Sequence, residues 1–335
     1  MAEEAGISRR AAIDIGTNTV LLLVAEIEAK KITPLFESQL LPRIGKGVDK
    51  TRNISWDAIH RTAEAVNTHL KEIHNRFGQI PVYVTATSAV RDARNREEVL
   101  ELFKKLTGYP VQLISGDEEA NLTFTGALSM VSPVNENTVV VDIGGGSTEL
   151  IAGNSKSILS AHSYDMGCVR YTERYLSDLP AAEEAVKSCR KEIGNELKQN
   201  KLIFSGYSDE LIGVAGTVTS LAALHQNQTG YDPERINGYS LSLTEIDQFT
   251  ESLSLRSHEE IEQMNPTVMK GRSDIMLAGL LILAEIMHYW NFRQLKVSTG
   301  GLRHGVLIWG SDQLTVISKL HRYKPGCRIS GHHQM

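Results

Sequence analysis

Two short apolar runs near the N-terminus flank an Asp-Ile-Gly turn in the segment AAIDIGTNTVLLLVAEI. Runs of this length, rich in Val, Ile and Leu and joined through a glycine, are typical of buried strands in a hairpin. From Ser55 onward, apolar residues recur at intervals of three and four along SWDAIHRTAEAVNTHLKEIHNRF, which predicts an amphipathic helix. The chain is therefore expected to begin with a hairpin followed by a helix.

The segments that follow alternate between strand-like and helix-like patterns. VYVTATSAV predicts a strand, NREEVLELFKKL a helix, VQLIS a strand and DEEANLTFTGALSM a helix. Such alternation indicates an α/β domain, and the next segment, SPVNEN, has the turn-forming composition of a linker.

The pattern then begins again in TVVVDIGGGSTELIAG, which can be aligned with the first hairpin. The aligned pairs are Asp142 with Asp14, Gly144 with Gly16, and Ser147 with Thr19. A repeat of so long a period predicts two related domains, residues 1–132 and 133–335, rather than a solenoid. The copies differ at one position, because Glu149 stands where the first copy has Leu21.

Composition narrows the class of protein. Hydrophobic residues make up 41% and charged residues 22% of the 335 positions, as in an ordinary globular protein. The net charge of −5 provides no global positive field for nucleic acid, so an anion would have to be held by local groups. Three widely spaced cysteines and a polar N-terminus favour the cytoplasm. The most apolar segment, IMLAGLLILAEIMHYW, is too short to cross a bilayer and predicts a buried helix.

Glycine-rich turns follow four strand-like runs, in the segments IDIGTNT, VDIGGGST, GVAGTVT and STGGLRHG. A single such turn is more typical of a tight hairpin. Four of them, each with Ser or Thr nearby, favour an anion site, because bare amides and hydroxyls donate hydrogen bonds to phosphate oxygens. The aspartates in two of the turns suit a hydrated Mg²⁺. The chain has neither a P-loop pattern nor a strand-linked GxGxxG pattern.

Seven motifs between Ala12 and Leu307 closely resemble the exopolyphosphatase and guanosine pentaphosphate phosphatase family: AIDIGTNTVLLLVAEI, TATSAVRDA, ISGDEEANLTFTGAL, VVDIGGGSTELIAG, MGCVRYTE, GVAGTVTSLAAL and VSTGGLRHGVL. The resemblance implies an α/β fold of two duplicated actin-like (ribonuclease H-like) domains with an active-site cleft between them. It also implies the short, two-domain form of the family. The last helix is expected to pack back on the first domain.

The resemblance implies that Glu119 is the base that orients or deprotonates the attacking water. Its neighbour Glu118 is the alternative, and on a helix the two side chains point about 100° apart, so only one can face the cleft. Taken without the resemblance, an acid pair at a helix start is more typical of a solvated first turn stabilised by the helix dipole.

The resemblance also implies the remaining site residues. The expected catalytic carboxylates are Glu119, Glu149 and Asp142, and the expected ligands of Mg²⁺, or of Mn²⁺ as the alternative, are Asp14, Asp142 and Glu149. The expected phosphate-binding residues are Thr17, Asn18, Thr19, Arg91, Gly144, Gly145, Gly146, Ser147, Thr148, Gly216 and Arg303. Arg272 and Lys46 are weaker candidates.

The reaction that this set implies is hydrolysis of a terminal phosphoanhydride with release of orthophosphate. Inorganic polyphosphate is the first expected substrate, and the 5′-γ-phosphate of guanosine pentaphosphate is the second. The alternatives are an ATP-dependent phosphotransferase of the same superfold and a non-catalytic sensor of alarmones. Neither nucleic acid nor a membrane is an expected partner, and a homodimer is left open.

Overall fold

A computed structural model describes residues 7–28, 31–131, 137–154, 157–199 and 210–310. The strands are β1 (Ser8–Ile15), β2 (Val20–Glu28), β3 (Lys31–Leu40), β4 (Val82–Ala86), β5 (Gln112–Leu113), β6 (Thr138–Ile143), β7 (Thr148–Gly153), β8 (Ile158–Tyr164), β9 (Glu210–Val214), β10 (Ser240–Ser242) and β11 (Gln294–Val297). The helices are α1 (Val48–Thr51), α2 (Trp56–Phe77), α3 (Ser88–Arg91), α4 (Arg96–Thr107), α5 (Gly116–Met130), α6 (Cys168–Tyr175), α7 (Glu183–Gln199), α8 (Ala215–His225), α9 (Pro233–Ile236), α10 (Leu243–Ser254), α11 (His258–Met264), α12 (Pro266–Met269), α13 (Met276–Trp290) and α14 (residues 302–310).

The first sheet has the strand order β3-β2-β1-β4-β5. β1 and β2 form the predicted antiparallel hairpin, and β1 pairs with β4 in parallel. The predicted amphipathic helix is α2, whose cap residue Ser55 accepts a hydrogen bond from the Ala58 amide. Its apolar face packs on this sheet together with α4, and we call this unit the first lobe.

The second sheet has the order β10-β11-β9-β6-β7-β8, with β6 and β7 antiparallel and β6 and β9 parallel. Its main core contains almost every side chain of α13, which confirms the predicted buried helix. We call this unit the second lobe. Within the described ranges, no helix is long and apolar enough to cross a membrane.

The two hairpins share one register. Asp14 stands opposite Leu21 in the first lobe, and Asp142 stands opposite Glu149 in the second. The turns also match, because the amide of Gly16 donates to the Thr19 carbonyl at 2.9 Å and that of Gly144 donates to the Ser147 carbonyl at 3.0 Å. The duplication predicted from the sequence is therefore present in the fold.

Two elements differ from the sequence prediction. The segment VYVTATSAV is a strand only to Ala86, and Ser88–Arg91 is the short helix α3, so Arg91 ends a helical turn and not a strand. A short apolar run fits both the two-residue period of a strand and the 3.6-residue period of a helix, which explains the error. Strand β3 was not predicted; its Pro34 lies beside a register shift at the edge of the sheet, where proline is tolerated.

Helix α5 belongs to both cores. Its Leu122 packs with α14 and the outer face of the first sheet, while Phe124 and Ala127 pack against the second sheet. Helix α14 contributes Leu302 and Val306 to the same cluster as Leu122, and it thus lies on the first lobe. The boundary between 132 and 133 stays a prediction, because the linker SPVNEN lies outside the described residues apart from its final asparagine.

Candidate active site

A cavity of about 500 Å³ separates the two lobes at the ends of their hairpins. Its walls come from both hairpin turns, the N-terminus of α5, the β9–α8 turn and the start of α14. The sequence-predicted residues that line it are Asp14, Thr17, Asn18, Thr19, Glu119, Asp142, Gly144, Gly145, Ser147, Gly216, Arg272 and Arg303.

The glycine turn of the second lobe is held from behind by α6. The amides of Cys168 and Val169 donate to the carbonyls of Gly144 and Gly145, both at 2.9 Å. Because the N–H and C=O of a trans peptide point in opposite directions, the amides of Gly145 and Gly146 point away from α6. The amide of Gly145, which lines the cavity, is therefore available for an anion.

Two of the three glycines are required by contact with the first lobe. A Cβ on Gly145 would lie 2.7 Å from Thr17 Cβ, and one on Gly146 would lie 2.8 Å from Ser88 Oγ. Gly146 does not line the cavity, and its carbonyl accepts a hydrogen bond from Arg170 at 2.7 Å. Gly146 was predicted to bind phosphate, but in the structure it lies at the junction of the two lobes.

Asp14 and Asp142 end equivalent strands and line the same cavity. Burial, together with the nearby Glu119 carboxylate, raises the pKa of each of them to about 7. Hydroxyl donors on the two carboxylates, Thr85 on Asp14 and Thr123 on Asp142, lie at 3.4 and 3.3 Å. Such a concentration of half-buried acid around one cavity favours a bound cation.

The two neighbouring glutamates at the start of α5 have separate roles in the structure. Glu118 closes the capping box of the helix, because its Oε2 accepts hydrogen bonds from the amide and hydroxyl of Ser115 at 2.9 and 2.8 Å. Glu119 lines the cavity, and its Oε2 accepts a hydrogen bond from Arg91 at 2.8 Å. Burial raises the pKa of Glu119, although the Arg91 guanidinium acts in the opposite direction.

Glu149 and Thr148 lie behind the cavity wall. Glu149 is 1% exposed, and its Oε1 accepts a hydrogen bond from Ser163 Oγ at 2.6 Å. Burial, with Glu119 and Asp142 nearby, raises the pKa of Glu149 well above its ordinary value. The hydroxyl of Thr148 is fully buried and donates to the Met166 carbonyl at 2.6 Å. Neither side chain reaches the cavity, in contrast to the predicted cation-binding and phosphate-binding roles.

Three arginines, Arg91, Arg303 and Arg272, lie around the cavity carboxylates. Arg91 stands behind Glu119, where it also donates to the Ile114 carbonyl at 3.0 Å, and it does not line the cavity. Arg303 lines the cavity and is fixed by the Leu22 carbonyl at 2.6 Å and by Glu37 at 3.0 Å.

Arg272 occupies a more prominent position than the sequence suggests. Its guanidinium lies against Gly216, where any side chain would collide with it, and it donates to the neutral Gln39 amide at 2.6 Å. Burial lowers the pKa of this guanidinium, and within the described ranges it forms no ion pair with a carboxylate. An anion in the cavity would balance its charge. Lys46, by contrast, is exposed and lies outside the cavity wall.

The acids suit a Mg²⁺ ion that shares its ligands with water and substrate. No group of three or more His, Cys, Asp or Glu side chains with metal-binding geometry occurs in the described part of the chain. Asp14 and Asp142 face the cavity from opposite lobes, at the ends of equivalent strands, while Glu37 and Glu119 also line it. Mg²⁺ commonly binds one or two carboxylates and completes its octahedron with waters and substrate phosphates, so this pair fits, whereas Glu149 does not reach.

Arg170 and Ser163 are two polar residues of this region that the sequence did not single out, and the cavity-lining Glu37, Gln39 and Lys270 are others. Ser163 is the cross-strand partner of Glu149, and Arg170 lies within the motif MGCVRYTE. The motif marked the segment, but only the fold shows that the arginine is buried against the glycine turn.

Residues 23–312 match the Ppx/GppA phosphatase family. Exopolyphosphatase 2 of Mycobacterium tuberculosis is 31% identical over 319 residues, which cover 90% of this chain and 98% of that protein. The solved PPX-GPPA enzyme of Aquifex aeolicus is 32% identical with a TM-score of 0.75, covering 90% of this chain and 99% of its own. The solved structure of an exopolyphosphatase from Cytophaga hutchinsonii is 27% identical with a TM-score of 0.81, and the match covers 90% of this chain and 96% of that one. These likenesses confirm the predicted duplicated, actin-like α/β fold.

Proposed function

The chain belongs to the Ppx/GppA phosphatase family, and we propose that it hydrolyses the terminal phosphoanhydride of inorganic polyphosphate and releases orthophosphate. The observation that carries the proposal is the position of Glu119, which lines the cavity beside Asp14 and Asp142 while Arg91 fixes its carboxylate from behind. The named relatives include exopolyphosphatases from two organisms, whose activity supports the same reaction here.

In this proposal the terminal phosphoryl group lies between the two hairpin turns, within reach of the amides of the glycine turn. Glu119 accepts the proton of the attacking water, and its raised pKa suits a base that acts near neutral pH. Arg272 and Arg303 neutralise charge on the equatorial and bridging oxygens. Mg²⁺ held by Asp14 and Asp142 would supply further charge neutralisation at the phosphates.

Guanosine pentaphosphate is a second candidate substrate, favoured by the lining of the second lobe. Val268, Ile275 and Met276 contribute apolar surface to the cavity, and Tyr231 lies at the same wall. A linear polyphosphate has no group that would use such surface, whereas a nucleoside would bury its base there. Initial rates on short polyphosphate, long polyphosphate and guanosine pentaphosphate would rank these substrates.

The first prediction concerns the base. We expect Glu119→Gln to lower the rate of orthophosphate release from polyphosphate by ~10²–10⁴-fold, the range typical of a general base, while binding of polyphosphate stays measurable. Glu118→Gln is the matched control, because glutamine preserves the capping box and the side chain lies off the cavity wall.

The reaction is measured as orthophosphate release with no added acceptor. Release that requires an acceptor would favour the phosphotransferase alternative, and binding without any turnover by the wild-type protein would favour the sensor. Equal losses in the two glutamine variants would contradict the role of Glu119. The cytoplasmic location, the choice between Mg²⁺ and Mn²⁺, and a homodimer stay predictions.

A further inference from the structure

Arg170 is a buried arginine that touches three parts of the molecule at once. It lies in the first turn of α6, is 5% exposed, and donates through Nε to the Gly146 carbonyl at 2.7 Å. Its Nη1 and Nη2 donate to Asp49 and Asp92, each at 2.5 Å. All three nitrogens of the guanidinium are therefore engaged, in the planar geometry that only arginine provides.

The three acceptors come from opposite sides of the cleft. Gly146 belongs to the glycine turn of the second lobe, whereas Asp49 lies on α1 and Asp92 directly follows α3 in the first lobe. Asp92 is the neighbour of Arg91, whose guanidinium holds Glu119. A short chain of contacts thus runs from the glycine turn through Arg170 to the residue that orients the proposed base.

Two arginines and two part-buried aspartates form the inner part of this cluster. Arg174, one turn further along α6, donates to both oxygens of Asp49 at 2.7 Å, and the exposed Asp165 lies 4.0 Å from Arg170 Nη2. Burial alone would raise the pKa of Asp49, but Arg174 and Arg170 hold it below its ordinary value. Removing one member of a buried pair leaves its partner uncompensated, so the network favours one fixed geometry.

We propose that Arg170 is a positioning residue that fixes the glycine turn of the second lobe at its working distance from the Arg91–Glu119 pair of the first lobe. The inference rests on the proposed phosphohydrolase function. It assigns Arg170 no contact with substrate: its effect on the rate passes through Gly146 on one side and Asp92 on the other.

Other contacts between the lobes do not have this arrangement. Arg43 pairs with Asp274 at 2.8 and 3.0 Å, but neither residue contacts the glycine turn or α3 through these bonds. Arg174 lies on the same helix as Arg170 and also pairs with Asp49. These bonds involve neither Gly146 nor Asp92. Arg174 is therefore the matched control for a residue that only ties the lobes together.

The test compares Arg170→Lys, Asp92→Asn and Arg174→Gln with the wild type. Lysine keeps the charge, but its three N–H groups sit on one nitrogen and cannot span Gly146, Asp49 and Asp92 as the planar guanidinium does. Asparagine removes the Asp92 carboxylate that pairs with Arg170. We expect kcat for orthophosphate release from polyphosphate to fall ~10–100-fold in both, as a misplacement of about 1 Å produces, with KM changed ~3-fold or less. Arg174→Gln should keep kcat within about 2-fold, because it alters neither link to the reacting groups.

The double variant Arg170→Lys/Asp92→Asn separates positioning from general destabilisation. Residues that act through one contact give non-additive losses, so its kcat should equal that of the worse single variant. The inference would be overturned by additive losses or by a wild-type kcat in Arg170→Lys. It would also be overturned if the loss of kcat in all three single variants were explained equally well by their loss of melting temperature. Asp92→Asn alone decides the question if Arg170→Lys does not fold. A wild-type protein that releases no orthophosphate would instead contradict the proposed function itself.

Discussion

Asp14 and Asp142 are half-buried acids that are costly to ionise, first because of their loss of solvent and then because Glu119 is nearby. The pKa of each is raised to about 7, first by burial and then by the neighbouring carboxylate. A carboxyl group whose folded pKa lies above its unfolded value holds its proton more tightly in the folded state. The free energy of unfolding therefore falls as the pH rises from 3.8 to about 7, and the full penalty remains above that range.

The second prediction follows from that sign. We expect Asp142→Asn to raise the melting temperature at pH 8 by ~2 °C or more in the absence of divalent cations. The reason is that the neutral amide needs no free energy to ionise in this site. The gain should shrink at pH 5, where the wild-type carboxyl is protonated. Thermal melts at both pH values measure it.

Addition of Mg²⁺ provides the control for this prediction. A cation that binds the ionised pair should raise the melting temperature of the wild type at pH 8, less so at pH 6 because protons compete, and should not raise that of Asp142→Asn. Glu101→Gln, an exposed change on α4, should behave as the wild type. A pH-independent effect of Asp142→Asn would contradict the raised pKa.

At this scale the sequence predicted which acids share the cavity better than how each side chain is placed. The doubled DIG motif predicted that Asp14 and Asp142 would occupy equivalent positions, and their common register follows from it. It could not predict that Glu149 turns to Ser163, because the side chain's direction depends on β8, a strand that the motif does not contain. The separation of Glu118 from Glu119 required the capping geometry of α5.

Helix α5 meets the loop before α14 through closely packed glycines. A Cβ on Gly126 would collide with the Gly301 backbone, one on Gly300 with the Gly126 carbonyl, and one on Gly305 with the Leu122 carbonyl. The hydroxyl of Ser298, just before this loop, donates to the Ala127 carbonyl at 2.9 Å. The sequence pattern predicted an anion turn at the glycines after β11, whereas these contacts show that the glycines also bring backbones together.

The third prediction tests this packing. We expect Gly305→Ala to lower the free energy of unfolding by ~1–3 kcal/mol, because overpacking forces the backbones of α5 and α14 apart. Gly194→Ala in α7 is the matched control, since a Cβ there meets nothing within 4 Å and alanine should stabilise the helix by ~0.5–1 kcal/mol. Urea unfolding curves measure both changes. A stable Gly305→Ala would contradict the close contact.

The elements that sequence patterns predicted best are those whose signals are local. Helix α2 begins after its capping Ser55, and α13 is apolar around most of its circumference, as a core helix is expected to be. Strand β3 was missed because Pro34 and an exposed Leu35 interrupt its alternation at the bulge. Where an element depends on pairing with a distant strand, its own residues carry too little information.

At the scale of the whole molecule, the sequence predicted two related halves, a cleft and a last helix that packs back on the first domain, but it gave no indication of the ion pairs that join the halves. The joints are ion pairs between residues far apart in the chain: Arg170 with Asp49 and Asp92, and Arg43 with Asp274. Complementary charges at such distances leave no periodic signal in a single chain. Their identification therefore required the fold.

Helix α5, through Leu122 and Phe124, supplies side chains to the interiors of both halves. Melting either half would strip apolar cover from the other, so neither should survive alone. The fourth prediction is a single endotherm in scanning calorimetry, with the calorimetric enthalpy equal to the van't Hoff enthalpy. Two resolved endotherms would show that the halves melt separately. A single endotherm would mean that a protein built by duplicating one unit has given up the independence of its copies, with the helix that bears Glu119 as the piece they share.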